Sequence, residues 1–264
     1  MQVIDLTDKH MRFVTLCTHD DDTDEDTEKA APVRETWLKD NLAKGLRVKV
    51  VVDNGKPVGF AHCLPIELST WGMSGTDIMT VPCLTLKYSY VYKQERGSGY
   101  GRALMEAVES EAKKTKKGVA VRAYDNDFWF MPASFFMKLG YRQVSKQGDA
   151  VIMFKAFESV RPPVMHRLSY QPNLVPRKVV VDAFWNPICL TSLVEIMRIR
   201  EVCAEYGDRL VLNEYNCGDK DVLERYQTER AIFINGEPKS WGYEAPRDGL
   251  RKEIDSALEV SLQS

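Results

Sequence analysis

The chain has 264 residues, and its 36 Lys and Arg nearly balance 38 Asp and Glu, for a formal net charge of −2 at pH 7. That length holds one large or two small domains, and a near-neutral balance argues against a nucleic-acid partner. No apolar run reaches the length of a membrane span, the start Met1-Gln2-Val3-Ile4-Asp5 lacks the features of a secretory signal, and six scattered cysteines fit reduced thiols in a cytoplasmic chain.

Residues 7–18 and 32–44 carry helical patterning. Between them runs His19 to Glu28, an acidic loop with seven carboxylates from Asp20 to Glu28, which reads as a solvated charge run. Strands are expected at Arg47 to Val52 and Pro57 to Leu64, joined by the hairpin signal Asp53-Asn54-Gly55-Lys56. An apolar strand follows from Cys83 to Tyr92. It leads into Arg96-Gly97-Ser98-Gly99-Tyr100-Gly101-Arg102, and a helix spans Arg102 to Lys113. A strand at Gly118 to Tyr124, a short helix in Ala133 to Gly140, and a strand at Ala150 to Phe154 complete the first part.

The glycine run is the most informative feature. A glycine turn between a strand and a helix aims backbone N–H groups at one spot, and the helix N-terminus adds partial positive charge there. Glycine allows close approach and positive φ. The expected ligand is a phosphate or pyrophosphate. The G-x-x-x-x-G-K-[ST] loop is absent, and Gly97, Gly99 and Gly101 do not have the G-x-G-x-x-G spacing.

The run resembles the [Q/R]-x-x-G-x-[G/A] loop of GNAT-type N-acetyltransferases, in two registers, Gln94 to Gly99 and Arg96 to Gly101. The second puts Leu104 on the inner face of the helix. Ala133-Ser134-Phe135-Phe136-Met137-Lys138-Leu139-Gly140-Tyr141 resembles the late motif of the same family. The resemblance implies an α+β fold for residues 1–158, a mixed sheet flanked by helices, with acetyl-CoA as co-substrate and an amine as acceptor. It implies that Gly97, Ser98, Gly99, Tyr100 and Gly101 bind pyrophosphate, with charge from Arg96 and Arg102. It places Val91 and Tyr92 at the acetyl and pantetheine groups, and Asn126 and Phe136 near the pantetheine arm. Many relatives carry a tyrosine acid where this chain has Phe136, so either another group, such as Tyr124 or water, assists the departing thiolate, or the role is dispensable; Tyr124 is the candidate acid. Glu67 is the candidate base, as a carboxylate acting directly or through water. The acidic loop would border the acceptor cleft and favour a cationic acceptor, an effect that weakens with salt.

Residues 159–176 form a proline-containing linker or arm. From residue 177 to 264 a new pattern starts, that of a small domain, with no internal repeat linking the two halves. Lys178 to Trp185 is a strand, Leu190 to Tyr206 a helix and Arg209 to Tyr215 a strand. Lys220 to Tyr226 is a short helix, Arg230 to Asn235 a strand, Lys239 to Tyr243 its hairpin partner, and Pro246 to Leu258 a helix. The order β-α-β-α-β-β-α is that of a thioredoxin-like domain. Phe184 to Cys189, Arg230 to Gly236 and Trp241 to Pro246 resemble the C-terminal domain of YoaP-like acetyltransferases. Trp185-Asn186-Pro187-Ile188-Cys189 occupies the place of W-C-G-P-C, with Asn186 for the nucleophilic cysteine. Cys189 and Cys217 would share a sheet edge if their strands are parallel, as a redox pair or soft-metal site; no other metal site is expected. The competing readings are therefore a thiol-redox protein using Cys189 and Cys217, and a non-catalytic acyl-CoA sensor.

Overall fold

The structure, a computed structural model, describes residues 1–20, 23–87, 97–126 and 131–261. It divides into two compact units, Met1–Thr23 with Leu38–His166, and Asp24–Trp37 with Arg167–Ser264.

The first unit is built in the order β1 (Gln2–Asp5), α1 (Asp8–Thr15), α2 (Glu25–Lys44), β2 (Arg47–Asp53), β3 (Lys56–Pro65), β4 (Met73–Ser74) and β5 (Ile78–Leu86). It continues with α3 (Tyr100–Ala112), β6 (Gly118–Tyr124), α4 (Ala133–Met137), β7 (Arg142–Gln147), β8 (Ala150–Ala156) and β9 (Val164–Met165). Seven strands form one sheet in the order β1-β2-β3-β5-β6-β8-β7. Only β5 and β6 pair in parallel, so the sheet is mixed, as the sequence implies.

The valine-rich β2 suits a pleated, buried surface. Asn54 and Gly55 both take positive φ, 48° and 77°, the backbone that a two-residue hairpin turn requires. Leu104, Val108 and Ala112 recur every fourth residue of α3 and are fully buried. They pack with Val81 and Met79 of β5 and Val119 and Val121 of β6.

Helix α2 starts at Glu25, earlier than the expected residue 32. Asp24 Oδ1 accepts the Thr27 amide at 2.7 Å and caps the helix. Glu25, Asp26 and Glu28 fill its first turn, where the helix dipole favours acids. Much of the expected acidic loop is thus a helix start, and Pro32 lies inside the helix.

The second unit contains β10 (Val179–Trp185), α5 (Leu190–Ala204), β11 (Leu210–Asn216), α6 (Lys220–Tyr226), β12 (Ala231–Ile234), β13 (Glu237–Lys239) and α7 (Arg247–Ser261). Its sheet has the order β11-β10-β12-β13. Strands β10 and β11 are parallel, and β12 is antiparallel to both of its neighbours. One face packs Val179, Val181 and Ala183 against Ile196, Ile199, Leu250 and Ile254. The other carries Phe184, Phe233, Tyr215 and Tyr226.

Tyr170, from the proline-containing segment, lies on that second face. Its ring centroid is 4.4 Å from that of Phe233, and its hydroxyl donates to Asp182 Oδ2 at 2.5 Å. Burial, with the Asp182 bond, pushes the Tyr170 hydroxyl well above the usual phenol range. Ser169 N–H donates to the Tyr226 carbonyl at 2.8 Å, so this arm joins α6 in covering that sheet face.

Candidate active site

Strands β5 and β6 pair only from Ile78↔Gly118 to Val81↔Val121, although β5 runs on to Leu86 and β6 to Tyr124. Pro82 directly follows the last paired residue and has no N–H to offer a neighbour. On their far edges both strands stay paired, β5 with β3 through Gly59↔Leu86 and β6 with β8 through Tyr124↔Ala150. The two strands therefore part beyond Pro82. Side chains alternate along β6, while in β5 an irregularity opposite His62–Leu64 moves the inward face from Met79 and Val81 to Leu84 and Leu86. Leu84, Leu86 and Ala123 join the core that includes α3, while Cys83, Thr85, Arg122 and Tyr124 take the opposite face.

The glycine turn follows β5 at this open end, and its three glycines divide the work. Gly97 and Gly99 are exposed, hold φ of +92° and +86°, and among the described residues have no atom within 4 Å of the place of a Cβ. They supply the left-handed backbone of the turn, and Gly99 is the N-cap of α3. Gly101 supplies room instead: a Cβ there would lie 3.0 Å from Cζ of Phe135. The amides after Gly99 form the first turn of α3, where N–H groups have no carbonyl within the helix to bond and suit an anion. Ser98 and Arg102 are exposed beside them.

Tyr124 ends β6 at the same opening, half-buried, with Asn126 two residues on. Phe136 is fully buried. Its ring packs edge-on against Phe135 and Tyr141, with centroids 5.0 and 5.8 Å away, so it belongs to the core and has no exposed surface. Gly140 holds φ +85° just beyond α4, the left-handed helix end that the sequence suggests. Val91, Tyr92 and Arg96 lie outside the described residues.

Glu67 is not brought to the opening. It follows β3 at the end where Pro65 pairs with Met79, the far end of β5 from the glycine turn. Glu67 Oε2 bonds Lys116 Nζ at 2.9 Å and Oε1 accepts the Asp77 amide at 3.0 Å. Lys116 lies beyond the C-terminus of α3, so Glu67 is separated from the turn by the helix length, ~20 Å. Although burial opposes it, the bond to Lys116 holds its carboxyl below the usual range. Glu67→Gln is expected to change kcat by less than about threefold, and stability by no more than the ~1 kcal/mol of a surface ion pair. Steady-state kinetics and thermal melting check both; a hundredfold loss of kcat would restore Glu67 as the base.

The acidic run is largely engaged by its own chain. Asp20 pairs with Lys87 at 2.9 Å, Glu25 with Lys29 at 2.6 Å, and Asp26 with Arg198 at 2.7 Å and Arg247 at 2.8 Å. Asp21 and Asp22 lie outside the described residues.

In the second unit, Cys189 is the N-cap of α5, half-buried, with Sγ 3.1 Å from Thr191 Oγ1. Cys217 follows the parallel neighbour strand, so both cysteines lie at one sheet edge. Cys217 is fully buried, and burial pushes its thiol up to about 12. Asn186, in the position of a nucleophilic cysteine, is buried and accepts the Ile188 amide at 3.3 Å. Cys63 and Cys203 are likewise buried and pushed up to about 12. At about pH 8, where accessible thiols react, iodoacetamide is expected to label Cys17, Cys83 and Cys189 and to spare Cys63, Cys203 and Cys217. Peptide mass spectrometry reads the pattern; equal labelling of Cys217 and Cys189 would favour a redox pair. Among the described residues no group of three or more His, Cys, Asp or Glu side chains is placed to hold a metal. No helix among them is long and apolar enough to cross a membrane.

Comparison with known proteins gives one sequence match: residues 44–143 match the family model described as an acetyltransferase (GNAT) domain. No curated protein matches the chain. Among solved structures, it is similar to the ribosomal-protein-alanine N-acetyltransferase of Brucella melitensis, at 15% identity and a TM-score of 0.42 over 59% of this chain and 99% of that one. A GNAT-family acetyltransferase of Staphylococcus aureus Mu50 gives 12% and 0.43 over 60% and 99%. The PaiA N-acetyltransferase of Thermoplasma acidophilum, solved with coenzyme A, gives 16% and 0.40 over 59% and 99%. The glycine turn, the helix it opens and the parting strands all fall within the matched residues, and this stretch is an acetyltransferase domain of the GNAT type, an enzyme domain whose co-substrate is acetyl-CoA.

Proposed function

We propose that the chain transfers the acetyl group of acetyl-CoA to an amine by direct attack within a ternary complex. The observation that carries this reading is the turn through Gly97 and Gly99 at the N-terminus of α3, beside the opening between β5 and β6. The turn and the α3 amides hold the pyrophosphate, and the thioester reaches the opening. The amine nitrogen attacks the thioester carbonyl carbon. The tetrahedral intermediate then expels the CoA thiolate, breaking the C–S bond. Tyr124 supplies the proton to the thiolate, and the proton lost by the amine restores the phenol through solvent. The acceptor is an amine on a small molecule, a polyamine or a basic peptide.

The C-terminal part is thioredoxin-like, of the YoaP type. Its sheet order and the single antiparallel strand β12 support that reading. Asn186 and the buried Cys217 favour a structural or substrate-presenting role over dithiol chemistry.

Release of free CoA across a panel of amines, polyamines, amino acids and basic peptides tests the transferase. Release that depends on one acceptor class and vanishes in Gly99→Glu names that class. Tyr124→Phe should lower kcat by about 10²-fold, within the range for a lost general acid, with KM for acetyl-CoA unchanged. CoA binding without release to any amine would favour an acyl-CoA sensor, a reading that Phe136 at the usual tyrosine position supports.

A further inference from the structure

Tyr100 is the first residue of α3, directly after Gly99. In the glycine run it counts for its backbone amide. Its side chain does something else: the hydroxyl donates to Asp53 Oδ2 at 2.9 Å, across 47 residues of chain. Asp53 ends β2, at the edge of the Asn54-Gly55 turn. The other carboxylate oxygen lies 2.9 Å from the Met1 amino nitrogen.

The turn has a physical reason to need such an anchor. Gly97 and Gly99 both hold positive φ and are exposed, with no described residue within 4 Å of where a Cβ would lie. Glycine has the most conformational freedom to lose on ordering. A ligand that orders the turn by itself bears that entropy and binds more weakly. Tyr100 is the first side chain after the two glycines that can be fastened elsewhere. Gly101, one residue on, is seated under Phe135. These contacts hold the start of α3 from two sides, the β2–β3 hairpin and α4.

We propose that Asp53 is a positioning residue for acetyl-CoA, acting through the Tyr100 hydroxyl to hold the glycine turn in its binding shape; this rests on acetyl-CoA occupying that turn. Asp53 touches neither the cofactor nor the reacting atoms. Its effect is on affinity, and not on the chemical step.

The test combines Tyr100→Phe, Asp53→Ala, the double variant and Asp53→Asn. Coenzyme A affinity is read by calorimetry, and KM for acetyl-CoA and kcat by CoA release. Each of the first two should weaken affinity and raise KM about tenfold, the size of one hydrogen bond to a charged group. The double variant should be no weaker than either single one, because both remove the same bond. A carboxamide still accepts a hydrogen bond through its carbonyl oxygen, so Asp53→Asn should stay within about twofold of the parent, with kcat unchanged throughout. Unchanged affinity, losses that multiply in the double variant, or a fall in kcat with constant KM would each overturn the proposal. Tyr100→Phe removes only an oxygen, so it decides the matter even if Asp53→Ala fails to fold. Failure of the unaltered chain to bind coenzyme A would overturn the acetyl-CoA reading itself; binding by parent and variants alike would overturn only the role of Asp53.

Discussion

Replacing Gly99 with glutamate is expected to weaken acetyl-CoA binding by about 100-fold or more while the protein stays folded. Two independent effects combine. Gly99 holds φ +86°, and a residue with a Cβ in the left-handed region carries ~1–2 kcal/mol of strain. A carboxylate is also placed where the dipole and first-turn amides of α3 would meet a pyrophosphate, opposing a second anion. Each effect is worth about tenfold or somewhat more in affinity. Gly99→Ala isolates the strain and should lose about tenfold alone. The fold survives because nothing among the described residues lies within 4 Å of the missing Cβ, and the residue is exposed. Calorimetry with coenzyme A reads the affinity, and thermal melting reads the fold. Full affinity in Gly99→Glu would show that the pyrophosphate does not sit on this turn. Gly101 behaves oppositely: Gly101→Leu drives into Phe135 and should lower stability along with binding.

Replacing Asp26 with alanine is expected to destabilise the second unit by ~3 kcal/mol, the range for breaking a buried ion pair. Asp26 is 9% exposed. Arg247 grips both of its carboxylate oxygens at 2.8 Å, and Arg198 Nε adds a bond at 2.7 Å. Alanine leaves two guanidiniums facing each other with less compensation, although Glu201 and Glu244 retain part of it. The Arg247 bonds, then those of Arg198, hold the Asp26 carboxyl well below its ordinary range against the opposing effect of burial. A carboxyl depressed in the folded state gives its full stabilisation above the unfolded value of ~3.9 and loses it as pH falls toward the depressed folded value. Urea unfolding of the parent and Asp26→Asn should therefore differ fully at neutral pH, and the gap should narrow steadily below about pH 4. A gap that keeps its full size in acid would mean that Asp26 acts through packing and not charge.

Much of the acetyltransferase domain is legible in the sequence because glycine, proline and apolar period are local signals. Gly97, Gly99 and Gly101 mark the turn, Leu104 and Val108 mark the buried face of α3, and Asn54-Gly55 marks the hairpin. The parting of β5 and β6 is less visible. Pro82 is its local sign, yet the apolar pattern reads as strand only from Cys83, and pairing partners are a property of the sheet. Glu67 shows the same limit. Its place after a strand is readable, but which end of the sheet that strand finishes at depends on register. The acidic run reads as loop because charge density suggests solvent. The structure turns Asp24 into a helix cap and Asp26 into an ion-pair hub by supplying arginines from residues 198 and 247, too distant in sequence to pair by inspection. The Tyr100 amide is legible in the glycine run, whereas its hydroxyl bond to Asp53 is likewise long-range.

The second unit is assembled from two separate stretches, Asp24–Trp37 and Arg167–Ser264. During synthesis the chain emerges from its N-terminus, and domains tend to fold as they appear. The early stretch is then made well over a hundred residues before the arginines that hold it. While translation proceeds, Asp26 waits in an acid-rich helix start for two guanidiniums that the ribosome has yet to supply. Completion of the second unit is thereby coupled to synthesis of α7, and a nascent chain halted inside that helix carries every strand of its first unit while its second unit still lacks its final layer.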